Sequence, residues 1–324
     1  MRAFKELRAK GFVPDLVIGH PAWGELLFIK DEFPDCRVIA YFEFLYRSKG
    51  LDVDFDPEFP SRADDHYRLR IRNSTQLHAL SIADAGISPT QWQRSTYPAR
   101  EQERIRVIHE GIDLERVRPD PDAVFRLGDG RILTARDQVI TYVSRQLEPY
   151  RGFHVYMRAL PELQRRLPNA HFVLVGADGV SYGSQPPEPH KSYRDMLLAE
   201  VGPQLDMTRT HFTGQIPYGE YLHLLQISRL HIYLTYPFVL SWSMLEAMAC
   251  GTPVLGSATP PVQELIREGE NGFLFDFFDR GQLVERAVEI VGSGAGRLAP
   301  VRAAARHEIE SRFSFADQDR KSTR

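Results

Sequence analysis

The sequence has few cysteines, no long apolar run and little net charge. Its 324 residues include only two cysteines, Cys36 and Cys250, which are far apart, so we expect both to be reduced and buried, as in a cytoplasmic protein. No apolar run reaches the length of a membrane-spanning helix, so any membrane contact would be peripheral. A net charge of −3 lacks the strong positive field of nucleic-acid-binding proteins, so we expect no nucleic-acid partner.

A segment rich in proline and aspartate, residues 117–122, predicts a boundary between two α/β domains, residues 1–113 and 114–324. In the second domain, strands alternate with helices, which predicts a six-stranded doubly wound sheet. The predicted strands are 138–144, 171–176, 209–213, 230–235, 253–256 and 272–275. The polar stretch after Phe313 is expected to fray.

The first domain contains fewer strands. Short strands are predicted at 15–20, 37–42 and 86–88 and from residue 106, with helices over 24–32 and 64–85. This set lacks the first strand with a glycine-rich turn that opens most doubly wound domains. We therefore expect an incomplete N-terminal domain.

The segment from Tyr236 to Gly256 predicts a strand, a tight turn, a buried helix that stops at Gly251, and a second strand. Glu246 lies in the apolar part of this helix, where an ionised carboxylate requires a partner. One interpretation is an ion pair or a hydrogen bond from a backbone N–H. The other is that its two oxygens accept hydrogen bonds from a vicinal diol such as a ribose.

Basic residues and glycines follow other strands of the second domain. Arg145 and Arg151 both follow the end of the strand 138–144, next to the start of a helix. Such a pair of arginines is suited to a diphosphate. The alternative is a surface ion pair with Glu148. Two further strands end at Gly176 and at residues 214–216, where glycine allows the backbone to approach a ring or a phosphate. The residues of the second of these ends are Gly214, Gln215 and Ile216.

An acidic loop follows the strand 37–42. Carboxylates alternate over residues 52–58, a spacing that can hold a divalent metal ion. The glycine turn of a calcium loop is missing from it. We therefore interpret the loop as solvated and expect no metal.

Taken in this order, the motifs resemble the family-4 glycosyltransferases of the GT-B fold, over about residues 14–278. The resemblance implies two Rossmann-like doubly wound domains. It implies that Arg145 and Arg151 bind the donor diphosphate and that Glu246, in Glu-Ala-Met-Ala-x-Gly, binds the ribose. His20 takes the position of a histidine beside the transferred sugar. The turn that would offer backbone N–H groups to the phosphates consists of Val239, Leu240 and Ser241.

The implied reaction is retaining, metal-independent transfer of a sugar from a nucleotide diphosphate sugar to a hydroxyl of a glycan, a lipid-linked or another acceptor, in polysaccharide or glycan biosynthesis. His20, Arg145 and Arg151 are the implied catalytic residues, and no cofactor is expected. One departure is Phe238, which stands where the family commonly has a glutamate that contacts the sugar.

Two alternatives remain. The chain is a catalytically inactive or truncated nucleotide-sugar-binding protein, or it is a glycan phosphorylase. A phosphorylase requires a lysine-bound pyridoxal cofactor, and the second half of the sequence contains only Lys191 and Lys321. The scarcity of lysine disfavours the phosphorylase.

Overall fold

The computed structural model describes residues 1–62 and 64–322, which form two compact α/β units. The first unit contains Met1–Glu110, to which Pro237–Val239 and Lys321 also belong. The second contains Gly111–Tyr236 and Leu240–Arg320. The boundary predicted from the sequence lies shortly after the divide at Glu110.

The first unit is a four-stranded parallel sheet with the strand order β1-β2-β3-β4. All four strands predicted from the sequence are confirmed, whereas the helix predicted over 24–32 is reduced to a 3-10 turn, Pro21–Trp23, and a short α2. The elements are α1 (Arg2–Ala9), β1 (Leu16–Gly19), α2 (Ile29–Glu32), β2 (Arg37–Tyr41), α3 (Asp65–Ile82), β3 (Ala85–Ser88), α4 (Gln91–Ser95), α5 (Ala99–Gln102) and β4 (Ile105–Val107).

The acidic loop of the first unit differs from the solvated loop expected. Asp52 and Asp56 are buried, 1% and 3% exposed. Asp56 Oδ1 accepts a hydrogen bond from the backbone N–H of Glu58, and Asp54 Oδ1 accepts one from that of Ser61. The latter bond holds the pKa of Asp54 below its usual value. These carboxylates therefore shape the loop backbone, and the expectation of a solvated loop is wrong for Asp52 and Asp56.

The second unit is a six-stranded parallel sheet with the order β12-β11-β10-β7-β8-β9, preceded by the hairpin β5-β6. All six predicted strands are confirmed. The elements are β5 (Val124–Arg126), β6 (Ile132–Thr134), β7 (Gln138–Gln146), α6 (Phe153–Arg166), β8 (Ala170–Ala177), α7 (Tyr193–Val201), β9 (Thr210–Gly214), α8 (Tyr218–Ile227), β10 (Leu230–Tyr233), α9 (Trp242–Ala249), β11 (Val254–Ser257), α10 (Pro260–Gln263), β12 (Phe273–Phe275), α11 (Arg280–Gly292), α12 (Ala295–Arg312) and α13 (Phe315–Ser322).

The order of the strands reverses between β7 and β10. After β7 the chain adds β8 and β9 on one side, then returns to the other side of β7 to build β10, β11 and β12. Ligands of open α/β sheets bind in the crevice at the carboxyl ends of the strands at such a switch point. The topology therefore directs attention to the residues that follow β7 and β10.

Helix α9 forms the centre of the core beside β10. Met244, Leu245 and Met248 are completely buried, as their spacing predicts. Gly251 has a φ of 72° and ends the helix in the left-handed conformation. Cys36 and Cys250 are buried and unbonded, which confirms the expectation for the thiols.

Two parts of the second unit differ from the sequence prediction. The hairpin β5-β6 turns at Gly130, which has a φ of 89°. The sequence pattern predicted no strand in this region after the domain boundary. The end of the chain does not fray before Ser322, because Phe313 is 4% exposed and its carbonyl accepts a hydrogen bond from Ile112. No helix within residues 1–62 and 64–322 has the length and hydropathy needed to cross a bilayer.

Substitution of Gly152 is a test of the packing at the end of β7. It has a φ of +65°, and a Cβ there would collide with Leu234. Gly214 has a φ of +68° with open space around a Cβ, so Gly214→Ala is a matched control. We expect the left-handed backbone alone to cost about 1 to 2 kcal/mol in Gly214→Ala, and the collision to cost about 1 to 3 kcal/mol more in Gly152→Ala. Urea unfolding followed by circular dichroism measures both free energies, and equal losses would contradict the packing role.

Candidate functional site

Arg151 connects the ends of β7 and β10 at the switch point. It ends a 3-10 turn, Pro149–Arg151, which follows β7. Its Nη1 donates to Thr235 Oγ1 at 2.9 Å and to the Tyr233 hydroxyl at 3.4 Å. Both partners are buried, whereas Arg151 itself is partly exposed. A partly exposed guanidinium group is therefore fixed at the carboxyl edge of the sheet.

Arg145 provides a second positive charge beside this edge. It lies near the end of β7 and is exposed, unlike the buried Ser144 before it. Its charge, like that of Arg151, favours the ionised form of the nearby Glu148 carboxyl. The structure thus places both arginines predicted for the diphosphate at the same strand end.

The alternative interpretation, a surface ion pair between an arginine and Glu148, is wrong because Glu148 is buried. It is 1% exposed, and its Oε2 accepts hydrogen bonds from the backbone N–H groups of Ser181 at 2.8 Å and Tyr182 at 2.9 Å. Burial raises the pKa of Glu148, and these donors and the two arginines oppose that increase. Glu148 therefore fixes the loop after β8, and the Tyr182 ring centre lies 5.8 Å from the guanidinium carbon of Arg151.

The turn before α9 begins within the first unit and returns to the second. Val239 belongs to the first unit, and Leu240 packs against the core of the second. Ser241 caps α9 with its side chain. Its backbone N–H, predicted to face a phosphate, donates to the Tyr233 hydroxyl at 2.8 Å. The Tyr233 hydroxyl therefore joins Arg151 to the start of α9.

Glu246 has partners that the sequence interpretation did not include. It is 3% exposed, and its Oε1 and Oε2 accept hydrogen bonds from the hydroxyls of Tyr218 and Tyr221, each at 2.6 Å. Burial raises the pKa of Glu246, and both hydroxyls oppose the increase. The buried carboxylate is thus held by two O–H donors, rather than by a cation or a backbone amide.

The predicted glycine positions differ in how much space surrounds them. A Cβ on Gly176 would lie 2.8 Å from Leu147 Cδ2 and from the Ser144 carbonyl oxygen, so this glycine serves the close packing of β8 against the segment after β7. Gly214 is open, Gln215 is exposed, and Ile216 packs against the core. Of these four, Gly214 and Gln215 form the open strand end.

His20 lies in the first unit, directly after β1. Its Nε2 is 3.2 Å from Glu43 Oε2, and its backbone N–H donates to Glu25 Oε2 at 3.0 Å. The ring centre of His20 is 5.6 Å from that of Tyr41, whose hydroxyl donates to Glu110. The imidazole is therefore oriented by the Glu43 carboxylate and the Tyr41 ring, near the ends of β1 and β2.

Sequence reasoning missed the hydroxyl groups that organise the site in the second unit. Tyr218 and Tyr221 lie three positions apart on one helix, a spacing that was available as a signal. Tyr233 and Thr235 follow the alternation of a strand, but nothing local links them to Arg151. Glu43 likewise reaches His20 only through the pairing of β1 with β2.

Two family models match the chain. The model described as glycosyl transferase family 4 group matches residues 1–117. The model described as glycosyl transferases group 1 matches residues 131–307, which is more than half of the chain.

The relatives named as glycosyltransferases are longer than this chain. The D-inositol 3-phosphate glycosyltransferase of Rhodococcus jostii is 31% identical over 214 residues, which make up 65% of this chain and 44% of that protein. The enzyme of the same name from Mycobacterium tuberculosis is 27% identical over 207 residues, 63% of this chain and 40% of that protein. The chain thus spans less than half the length of these relatives.

Solved structures share the fold over almost the whole chain. Sucrose-phosphate synthase from Thermosynechococcus elongatus matches with a TM-score of 0.75 and 20% identity, over 99% of this chain and 75% of that one. Anabaena HepE, in complex with UDP and glucose, matches with a TM-score of 0.72 and 17% identity, over 99% of this chain and 79% of that one. With both family matches, these results show that the chain belongs to the glycosyl transferases group 1 family and has the family-4 type of GT-B fold.

Proposed function

We propose that this protein transfers a glycosyl unit from a nucleotide diphosphate sugar to a hydroxyl of a glycan, lipid-linked or other acceptor, with retention at the anomeric carbon. The observation that carries the proposal is the position of Arg151 at the switch point, where Thr235 and Tyr233 fix its guanidinium and Arg145 adds a second charge. An anionic diphosphate is the ligand class that such a strand end favours.

In this reaction the bond between the anomeric carbon and the β-phosphate oxygen breaks, and a bond to the acceptor oxygen forms on the same face of the sugar. The acceptor proton passes to the leaving phosphate. Negative charge grows on that phosphate, and preorganised positive groups are most effective where charge develops. Arg145 and Arg151 supply this charge, so we propose that no metal ion is required.

His20 is proposed to contact the transferred sugar or to orient the acceptor. Glu43 fixes its ring at 3.2 Å, which orients the imidazole before any ligand arrives. A role in polysaccharide or glycan biosynthesis, a cytoplasmic location and peripheral membrane contact stay predictions.

Arg145 is the simplest test of the diphosphate site, since its side chain is exposed. We expect Arg145→Met to weaken binding of a nucleoside diphosphate by about tenfold or more, because a charge-assisted contact is lost. Isothermal titration with UDP, GDP and ADP measures the affinity. Arg165→Met, on α6, removes an exposed arginine that pairs with Glu162 and is the control. Equal affinities of the two variants and the wild type would contradict the proposed site.

The proposed absence of a metal requirement has its own test. We expect release of nucleoside diphosphate from sugar nucleotides to continue at an unchanged rate in excess EDTA, because the arginines carry the countercharge. The release is followed by chromatography of quenched samples over a panel of sugar nucleotides, because a kinase-coupled assay would itself need Mg²⁺. A loss of rate in EDTA that Mg²⁺ or Mn²⁺ restores would overturn metal independence. Tight nucleotide binding with no release from any sugar nucleotide would favour the inactive binding protein.

His20→Ala is expected to lower kcat of the same release by about tenfold or more, as for the loss of a positioned histidine, with the nucleotide affinity unchanged. Glu43→Gln keeps a side chain of the same shape and should give a smaller loss. His78→Ala, at an exposed position on α3, is the control and should behave as wild type. Wild-type turnover in His20→Ala would remove His20 from the mechanism.

A further inference from the structure

The two hydroxyls that hold Glu246 lie in unequal surroundings. Tyr218 and Tyr221 are three positions apart on α8, so both side chains leave the same face of the helix. Tyr221 is 9% exposed and donates to Oε2, whereas Tyr218 is 41% exposed and donates to Oε1. One oxygen of the buried carboxylate therefore has a partner fixed in the core. The partner of the other reaches in from the surface.

The surroundings of Tyr218 leave this side chain removable. It is the first residue of α8 and follows the open strand end at Gly214 and the exposed Gln215. Its ring lies under the Arg116 guanidinium, 4.4 Å from ring centre to carbon, and 5.8 Å from the ring of Tyr221. Tyr218 therefore packs against an exposed arginine, whereas Tyr221 belongs to the core around α9.

A phenol hydroxyl and a ribose hydroxyl each donate one O–H hydrogen bond to a carboxylate oxygen. If Tyr218 leaves when a ribose arrives, Glu246 Oε1 exchanges one O–H donor for another, and no buried acceptor is left without a partner. Burial of the carboxylate makes this continuity necessary, because an unpaired buried charge is costly.

We propose that the Tyr218 hydroxyl occupies, in the nucleotide-free protein, the place on Glu246 Oε1 that a ribose hydroxyl takes when a nucleoside diphosphate binds. This inference rests on the proposed function, since it assigns the ribose of the donor to Glu246. Tyr218 is then a positioning residue that keeps the empty site satisfied and competes with the ligand. Tyr221 stays bound to Oε2 in both states.

The experiment compares a nucleoside diphosphate with its 2′-deoxy form. UDP, GDP and ADP are titrated first, and the tightest ligand and its 2′-deoxy form are then titrated into wild type, Tyr218→Phe and Tyr221→Phe. We expect Tyr218→Phe to bind the ribonucleotide about threefold to tenfold more tightly, the effect of removing one competing hydrogen bond. We expect the ratio of deoxy to ribo dissociation constants to rise by a similar factor, because no tyrosine hydroxyl remains to satisfy Glu246 Oε1.

Tyr221→Phe removes the same group from the other oxygen and is the matched control. It should unfold at a lower urea concentration and keep the wild-type ratio. Weaker ribonucleotide binding in Tyr218→Phe, an unchanged ratio, or an equal rise of the ratio in Tyr221→Phe would each overturn the inference and leave the proposed function standing. Failure of the wild type to bind any of the three diphosphates would contradict the proposed function itself, and the inference with it.

Discussion

The site in the second unit depends on the hydroxyl of Tyr233. This one oxygen accepts hydrogen bonds from the Arg151 guanidinium and from the backbone N–H of Ser241. It therefore ties the segment after β7 to the end of β10 and to the start of α9. Burial raises the pKa of Tyr233, so the hydroxyl stays neutral and serves as a fixed dipole between a cation and a helix start. Together with Thr235 it holds Arg151, and it adds a contact at the start of α9.

Two buried glutamates of the second unit, Glu148 and Glu246, have different kinds of hydrogen-bond donors. Glu148 accepts from the backbone N–H groups of Ser181 and Tyr182, which are part of the chain and leave only if the loop unfolds. Glu246 accepts from two side-chain hydroxyls, of which that of Tyr221 is fixed in the core and that of the exposed Tyr218 leaves without a change of backbone. The first arrangement suits a permanent anchor and the second suits an acceptor that exchanges partners. Burial alone, which the sequence indicates for Glu246, does not separate these roles.

The local parts of this structure were predictable, and the contacts that build the site were not. The apolar strands, the apolar helix α9 and its stop at Gly251 all show within a few residues, so the local sequence pattern predicted them. Arg151 meets Thr235 across 84 positions, and Tyr218 meets Glu246 across 28, so these bonds follow from the order of strands and helices rather than from local pattern. The family resemblance pointed to Arg145, Arg151, Glu246 and His20. It did not point to the tyrosines around them.

Phe238 differs from the residue that the family commonly has at this position, and it packs within the fold. It stands where the family commonly has a glutamate, yet it is 1% exposed and its ring lies edge-on to Phe44 with centres 4.9 Å apart. Its carbonyl accepts a hydrogen bond from Trp92 Nε1 at 2.9 Å. A carboxylate in this apolar contact would be buried beside an aromatic ring, which is costly. The side chain at this position therefore contributes packing within the first unit.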